Sequence, residues 1–168
     1  MDGKLLNEAR ALRYLLDALD DSSAAEILLE KRIFNQVLFH CQQVSEKASK
    51  ACLSTLGIVL ADEHKYADFL QRLVVPSSGK LQNDFKKLMI KVSILENFYI
   101  SARYGVDKQG RIRFQEYEEQ EVIDAFNSAS DFLDLCFKFI ELKIGKSIPR
   151  TKEQLILYLK RNYKSLIR

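Results

Sequence analysis

The feature that most constrains the fold is a helical repeat of apolar residues in a chain with few helix breakers. The 168 residues include only 6 Gly and 2 Pro. In the clearest segment apolar residues recur every three or four positions, at Leu81, Phe85, Leu88, Val92, Leu95 and Tyr99. This spacing places side chains on one face of an α-helix. The sequence therefore predicts an all-α protein, an antiparallel up-and-down bundle of four to five main helices with an extra basic C-terminal helix.

The same periodicity and the local capping signals predict the other helices. A first helix is expected to end near Asp20. A capping box at Ser23–Glu26 is expected to open a second helix that closes at Gly57. The sequence does not decide whether this second helix is interrupted near Lys31–Arg32. Asp62 is expected to open a short third helix that stops before Pro76. Later helices are predicted around Val122–Ile140 and after a second capping box at Thr151.

The charge is unevenly distributed along the chain. The net charge is +3, but residues 143–168 contain eight Lys or Arg and one Glu, which gives this segment +7 and leaves −4 on the remainder. We therefore divide the chain into a bundle over residues 1–145 and a basic helical extension over 146–168, packed on or near the bundle. No apolar run is long enough to span a bilayer and none resembles a signal peptide, which predicts a cytoplasmic protein without membrane association.

The cysteines and histidines do not predict a metal centre. Cys41, Cys52 and Cys136 are widely spaced and form no CxxC pair, so we expect small buried side chains. The two histidines, His40 and His64, have no neighbouring carboxylate pair of recognisable ligand spacing. The sequence thus predicts neither a metal nor a cofactor.

A stripe of polar side chains follows the second predicted helix. His40, Gln43, Lys47 and Lys50 share an arc roughly opposite the apolar arc, so they are expected to face outward. Lysines with directional hydrogen-bonding partners suit a phosphate-bearing ligand, whereas a simply solvated helix face has the same pattern. Phe39 and Leu53 fall outside the apolar arc, which suggests contact with another subunit.

Three segments carry a resemblance to a known family. They are the run from His40 to Ala51, His64 with Phe69-Leu70 downstream, and Leu95 followed by Tyr99-Ile-Ser-Ala-Arg103-Tyr104. In order and helix placement they resemble the HEPN family (higher eukaryotes and prokaryotes nucleotide-binding domain). The resemblance covers about residues 5–142 and leaves the basic C-terminal helix as an extension.

The resemblance implies a function in binding and assembly. It implies a homodimer that associates with nucleotides or RNA and with a separately encoded nucleotidyltransferase, as in a toxin–antitoxin-like pair. The candidate ligand-binding residues are His40, Gln43, Lys47, Lys50, His64, Tyr99 and Arg103.

The catalytic motif of the family's ribonuclease branch is missing. That motif is an Arg and a His separated by four to six residues, yet from Arg103 the permitted positions are Lys108, Gln109 and Gly110. No catalytic residue is therefore assigned. Two alternatives remain: a toxin-type endoribonuclease that uses Arg103 or His64 in an unusual arrangement, and a purely structural interaction subunit.

Two further features have both a structural and a functional interpretation. Arg103 lies on the core stripe of its helix, where a guanidinium needs a carboxylate such as Glu46 or Glu96 unless it binds an anion itself. The C-terminal helix is either a solvated end, a nucleic-acid-binding arm or a docking element for a partner. Its candidate contact residues are Lys152, Lys160, Arg161 and Lys164.

Overall fold

The computed structural model describes residues 3–59, 66–104, 109, 111–112 and 117–166, with residues 99–104 described by their backbone alone. These ranges are almost entirely helical, which confirms the all-α bundle. The helices are α1 (Gly3–Glu30), α2 (Phe34–Thr55), α3 (Ala67–Phe69), α4 (Val75–Ser77), α5 (Gln82–Tyr104), α6 (Glu119–Ile144) and α7 (Lys152–Asn162). A π turn over Leu70–Val74 joins α3 to α4, and 3-10 turns cover Gly79–Leu81 and Lys164–Leu166.

Helix α2 is the central element of the bundle. It packs against α1, α5 and α6, and 13 of its 22 residues are buried, polar as well as apolar ones. The prediction that Leu53 reaches a second subunit was wrong, because its side chain is fully buried within this chain. Phe39 packs against the core and stacks edge-on against His40.

Aromatic rings fix how α5 lies against α6. Phe85 near the start of α5 makes edge-to-face contacts with Phe132 and Phe139 of α6. At the other end of α5, Phe98 meets Tyr117, just before α6 begins. The two helices are therefore antiparallel, and such ring pairs stabilise the core beyond their buried area by about 1 kcal/mol each.

The first helix is longer than predicted. It continues through Asp20 and Ser23, and the chain turns only at Lys31–Arg32, where Arg32 has a φ of 57°. The end predicted at Asp20 was wrong, whereas the break at Lys31–Arg32 is confirmed. Asp and Ser are only weakly unfavourable inside a helix, and tertiary contacts outweigh that preference. Asp20 forms an ion pair with Lys152 of α7 at 2.5 Å.

Helix ends follow the local sequence more closely. Gly57 has a φ of 81°, and the Gly57 and Ile58 amides donate to the Ser54 and Leu53 carbonyls, which closes α2 as predicted. The expected opening of the third helix at Asp62 lies outside the described residues. The expected stop before Pro76 was wrong, since Pro76 lies in the first turn of α4, where no backbone N–H is needed.

Helix α7 packs along α1 in the opposite direction. Thr151 caps it as predicted, its hydroxyl accepting from the Gln154 amide at 3.4 Å. Leu155 and Leu159 are buried, and the Tyr163 hydroxyl donates to Glu8 of α1 at 3.1 Å. Because Lys152 meets Asp20 while Tyr163 meets Glu8, the C-terminal end of α7 lies beside the N-terminal end of α1.

The three cysteines are buried, as predicted. Burial raises the pKa of the Cys41 thiol to about 12, so this side chain stays a neutral thiol near neutral pH. Among the helices that the structure describes, none combines the length and apolarity needed to cross a membrane.

Candidate functional site

Two members of the polar stripe of α2, His40 and Lys47, reach across to α1. His40 Nδ1 lies 2.8 Å from Asp21 Oδ1, and Lys47 Nζ bonds the second oxygen of the same carboxylate. The His40 and Lys47 side chains are about a quarter exposed. The outward orientation expected for this stripe was therefore wrong for His40 and Lys47, because both bond a carboxylate that the apolar pattern of α1 did not reveal.

The other members of the stripe belong to a chain of hydrogen bonds within α2. Gln43 donates to Gln42 at 2.6 Å, Gln42 donates to Glu46 at 2.9 Å, and Lys50 pairs with the other Glu46 oxygen at 2.8 Å. Gln42 and Glu46 are buried. Buried polar groups without partners are costly, so this network stabilises the bundle chiefly by keeping each group satisfied.

Asp21 holds its negative charge more strongly than an exposed carboxyl. Burial on its own raises its pKa, but the hydrogen bonds from His40 and Lys47 and their positive charges outweigh burial and lower the pKa below its ordinary value. The carboxylate is thus ionised at neutral pH. Lys47 accordingly has a counter-ion within the fold and needs no bound anion to balance its charge.

A second polar group lies where α3 meets α2 and α5. The Glu96 carboxylate accepts from the backbone amides of Tyr66 and Ala67 at 2.5 and 2.6 Å, which caps α3. The buried hydroxyl of Tyr66 faces the Ser45 hydroxyl and the Gln42 side chain. Burial raises the pKa of the Tyr66 hydroxyl, which stays protonated.

Sequence reasoning missed several residues of these polar groups: Asp21, Gln42, Ser45 and Tyr66. One signal was present, since Gln42, Ser45 and Ser49 interrupt the apolar side of α2 at helical spacing. No local pattern identified Asp21, which acts on residues 19 and 26 positions away.

Three of the predicted ligand-binding positions are not described in full. His64 lies outside the described residues, and for Tyr99 and Arg103 only the backbone at the end of α5 is described. The predicted pairing of Arg103 with Glu46 or Glu96 stays a prediction.

The basic C-terminal residues divide into paired and unpaired cations. Lys152 pairs with Asp20, and Arg150 pairs with Glu141 at 2.8 Å while covering the Phe137 ring. In contrast, Lys160, Arg161 and Lys164 are exposed and have no ion-pair partner in the part of the chain that the structure describes. These three side chains are available to an anionic ligand at no cost in internal ion pairs.

The described residues offer little for metal or nucleophilic chemistry. They contain no cluster of three or more His, Cys, Asp or Glu side chains that could hold a metal ion. His40 is oriented by Asp21, but its ring stacks on Phe39 and no described hydroxyl or thiol bonds it. Charge pairing therefore dominates the described polar residues of the stripe.

Comparisons with known proteins agree with the sequence resemblance. Residues 11–143 match the family model for the HEPN domain. The chain is 23% identical over 151 residues to a protein of Methanocaldococcus jannaschii named "Putative toxin MJ1304", an alignment that covers 86% of this chain and 97% of that protein. No solved structure matches the chain.

Proposed function

Because the chain belongs to the HEPN family, we propose that it is a non-catalytic binding and assembly module that binds RNA or nucleotides in a toxin–antitoxin-like pair. The relative from Methanocaldococcus jannaschii is named a toxin, which supports the proposal of a toxin–antitoxin-like pair. The observation that carries the binding function is the group of exposed cations, Lys160, Arg161 and Lys164, without partners among the described residues. We call this group the α7 cations.

The α7 cations suit this role better than the stripe of α2. A phosphate that bound Lys47 or Lys50 would have to compete with Asp21 or Glu46, and a carboxylate left without its cation in a buried position is costly. The α7 cations carry no such cost. Each phosphate neutralised by an exposed cation also releases a counterion, which makes binding favourable at low salt.

The absence of catalysis is proposed from the sequence and from His40. Neither histidine follows an arginine at the spacing of the ribonuclease motif. His40 is held by Asp21 within the α1–α2 contact, whereas a general acid or base must reach the reacting group. We therefore assign no catalytic residue.

We also propose that the protein is a cytoplasmic homodimer that associates with a nucleotidyltransferase. A groove of about 710 Å³ between α5 and α6 supports the dimer. Ile94 lines it, and Ile90 one turn earlier is 73% exposed. One wall of the groove carries Lys91, and the other carries Glu121 and Asp124.

The two walls are complementary to each other. A two-fold axis parallel to the groove would set α5 of one copy over α6 of the other, bringing Lys91 opposite Asp124 twice. Ile94 of each copy would then lie in the facing groove, as in an intermolecular four-helix arrangement. The nucleotidyltransferase partner and the cytoplasmic location rest on the family and on the chain's composition.

The experiment that tests the binding function compares two charge-matched variants. One replaces the α7 cations with Gln, and the other replaces the exposed Lys80, Lys86 and Lys87 with Gln. The affinity for labelled single-stranded RNA is measured at several salt concentrations. We expect the first variant to reduce the slope of log Kd against log salt concentration by about 2, because each lost phosphate contact removes roughly 0.7. The second should leave it unchanged. Equal effects of the two variants would contradict the proposed binding surface.

A further inference from the structure

A cavity of about 550 Å³ lies against the outer side of α7, beside the link from α6. Its volume falls within the range of small-molecule sites, roughly 300–1,000 Å³. It is lined by Pro149 of the link and by five residues of α7: Gln154, Leu157, Tyr158, Arg161 and Asn162. It lies beyond residue 143, where the match to the family model ends.

Leu157 is the apolar element of this cavity that the fold leaves uncovered. Its side chain is 65% exposed, whereas Leu155 and Leu159 of the same helix are buried against the bundle. Pro149 provides a second apolar surface at the same cavity. Together they offer an apolar surface to a flat ligand.

Arg161 supplies a planar cation on the same helix face. It lies one turn after Leu157, lines the cavity, and has no partner among the residues that the structure describes. A guanidinium stacks on the flat face of a nucleobase as well as pairing with phosphate. The favourable position of a cation at a helix C-terminus explains the charge of Arg161, but it does not explain an exposed leucine beside it.

Two amides supply hydrogen-bonding groups at the cavity. Asn162 donates from Nδ2 to the Tyr158 carbonyl at 2.8 Å, which leaves its side-chain oxygen as an acceptor. The Gln154 side chain is exposed, and its amide nitrogen and oxygen form no hydrogen bond with any residue that the structure describes. Base edges present this mixture of donors and acceptors, and proteins read single-stranded RNA through them.

We propose that this cavity holds one nucleobase of a single-stranded RNA, with the base against Leu157 and Arg161 and the flanking phosphates at Lys160 and Lys164. The inference rests on the proposed RNA-binding function and adds a base-binding subsite to it. Lys160 and Arg161 lie three and four positions after Leu157 on α7, and Lys164 follows in the 3-10 turn beyond its end, so a strand that places a base at Leu157 runs past both lysines.

The test measures fluorescence anisotropy with labelled oligonucleotides of about ten nucleotides at low salt. One ligand is oligo(A), and the other is an abasic ribose-phosphate strand of equal length. The variants are Leu157→Asn and Arg161→Lys, both of which keep the net charge. Ile27→Asn is the matched control, because Ile27 is a similarly exposed apolar residue on α1, away from α7's outer side and from the proposed dimer groove.

We expect the wild-type protein to bind oligo(A) about tenfold more tightly than the abasic strand, as one stacked base implies. Leu157→Asn and Arg161→Lys should each remove most of that difference without changing the affinity for the abasic strand. Ile27→Asn should change neither affinity.

The outcomes separate this inference from the proposed function. If the wild-type protein binds both strands equally, or if the variants weaken both equally, the base subsite is wrong while RNA binding stands. If it binds neither strand, both are wrong. If AMP displaces oligo(A) at an equal concentration, the cavity binds a free nucleotide, and the proposal that it binds one base of an RNA strand is wrong.

Discussion

The Asp21 carboxylate of α1 lies 2.8 Å from His40 Nδ1 of α2, with the two residues 19 positions apart in the sequence. Its second oxygen is bonded by Lys47, two turns further along α2. One carboxylate thus holds two members of the polar stripe against α1. This contact turns a surface that the sequence assigns to a ligand into a link between the first two helices.

Replacing Asp21 tests this link directly. Asp21→Asn leaves Lys47 half-buried without its counter-ion, so we expect the free energy of unfolding to fall by about 1–3 kcal/mol. Urea unfolding measures the change. The matched control is Asp17→Asn on the same helix, whose partner Arg13 is largely exposed, and there we expect about 0.5 kcal/mol or less. Equal losses in the two variants would show that the Asp21 contact adds nothing specific.

The same carboxylate predicts a pH dependence of stability. The pKa of Asp21 is lower in the folded protein than in the unfolded chain, where a carboxyl of this kind titrates near about 3.9. Its contribution is therefore fully present above about pH 4 and is lost as the pH falls through the folded pKa. We expect the stability difference between wild type and Asp21→Asn to shrink below about pH 4. Urea unfolding of both proteins at several pH values measures this difference. If the wild type stays more stable than Asp21→Asn by the same amount at the lowest pH, the pKa of Asp21 is not lowered by folding.

Two tyrosines of the C-terminal segment form a matched pair for testing how α7 is attached. The Tyr163 hydroxyl donates to Glu8, whereas the Tyr158 hydroxyl is buried with no partner among the described residues. Tyr163→Phe should lower the free energy of unfolding by about 1 kcal/mol, and Tyr158→Phe should leave it unchanged or raise it slightly. Thermal or urea unfolding of both variants measures the two changes in the free energy of unfolding. The reverse order would mean that Tyr163 does not anchor α7 on α1.

The proposed dimer predicts a charge-swap result. Lys91→Glu should weaken self-association about tenfold, as Asp124→Lys should, because each places like charges opposite each other twice. The double variant restores the opposite-sign pairs and should recover most of the affinity. Analytical ultracentrifugation measures the dimer constant. A wild-type protein that stays monomeric at high concentration, or a double variant no better than the singles, contradicts this interface.

Local patterns in the sequence predict much of the bundle. The spacing of Phe85, Val92 and Leu95 predicts α5, and Gly57 and Thr151 mark ends that the structure confirms. These features depend on neighbours within one or two turns. The end at Asp20 was wrong because the residues that hold that segment in a helix, Lys152 and Lys47, belong to other helices.

The candidate site is predicted less well from the sequence, for the same physical reason. Periodicity separates a buried side from an exposed side, but α2 is surrounded by three helices and its polar residues lie between them. Whether Lys47 faces solvent or Asp21 depends on how α1 crosses α2, which no local spacing encodes. The exposed α7 cations could be predicted, because α7 packs mainly along α1 and its outer side can be recognised from its own sequence.

We propose that this protein binds RNA without cutting it. The most direct measurement incubates labelled single-stranded RNA with the wild-type protein and with Arg103→Ala and His64→Ala, and follows binding and strand length in the same samples. The account predicts a salt-dependent complex in which the RNA stays intact with all three proteins. Reproducible cleavage by the wild-type protein that is lost in either variant would contradict it, as would the absence of a complex at low salt.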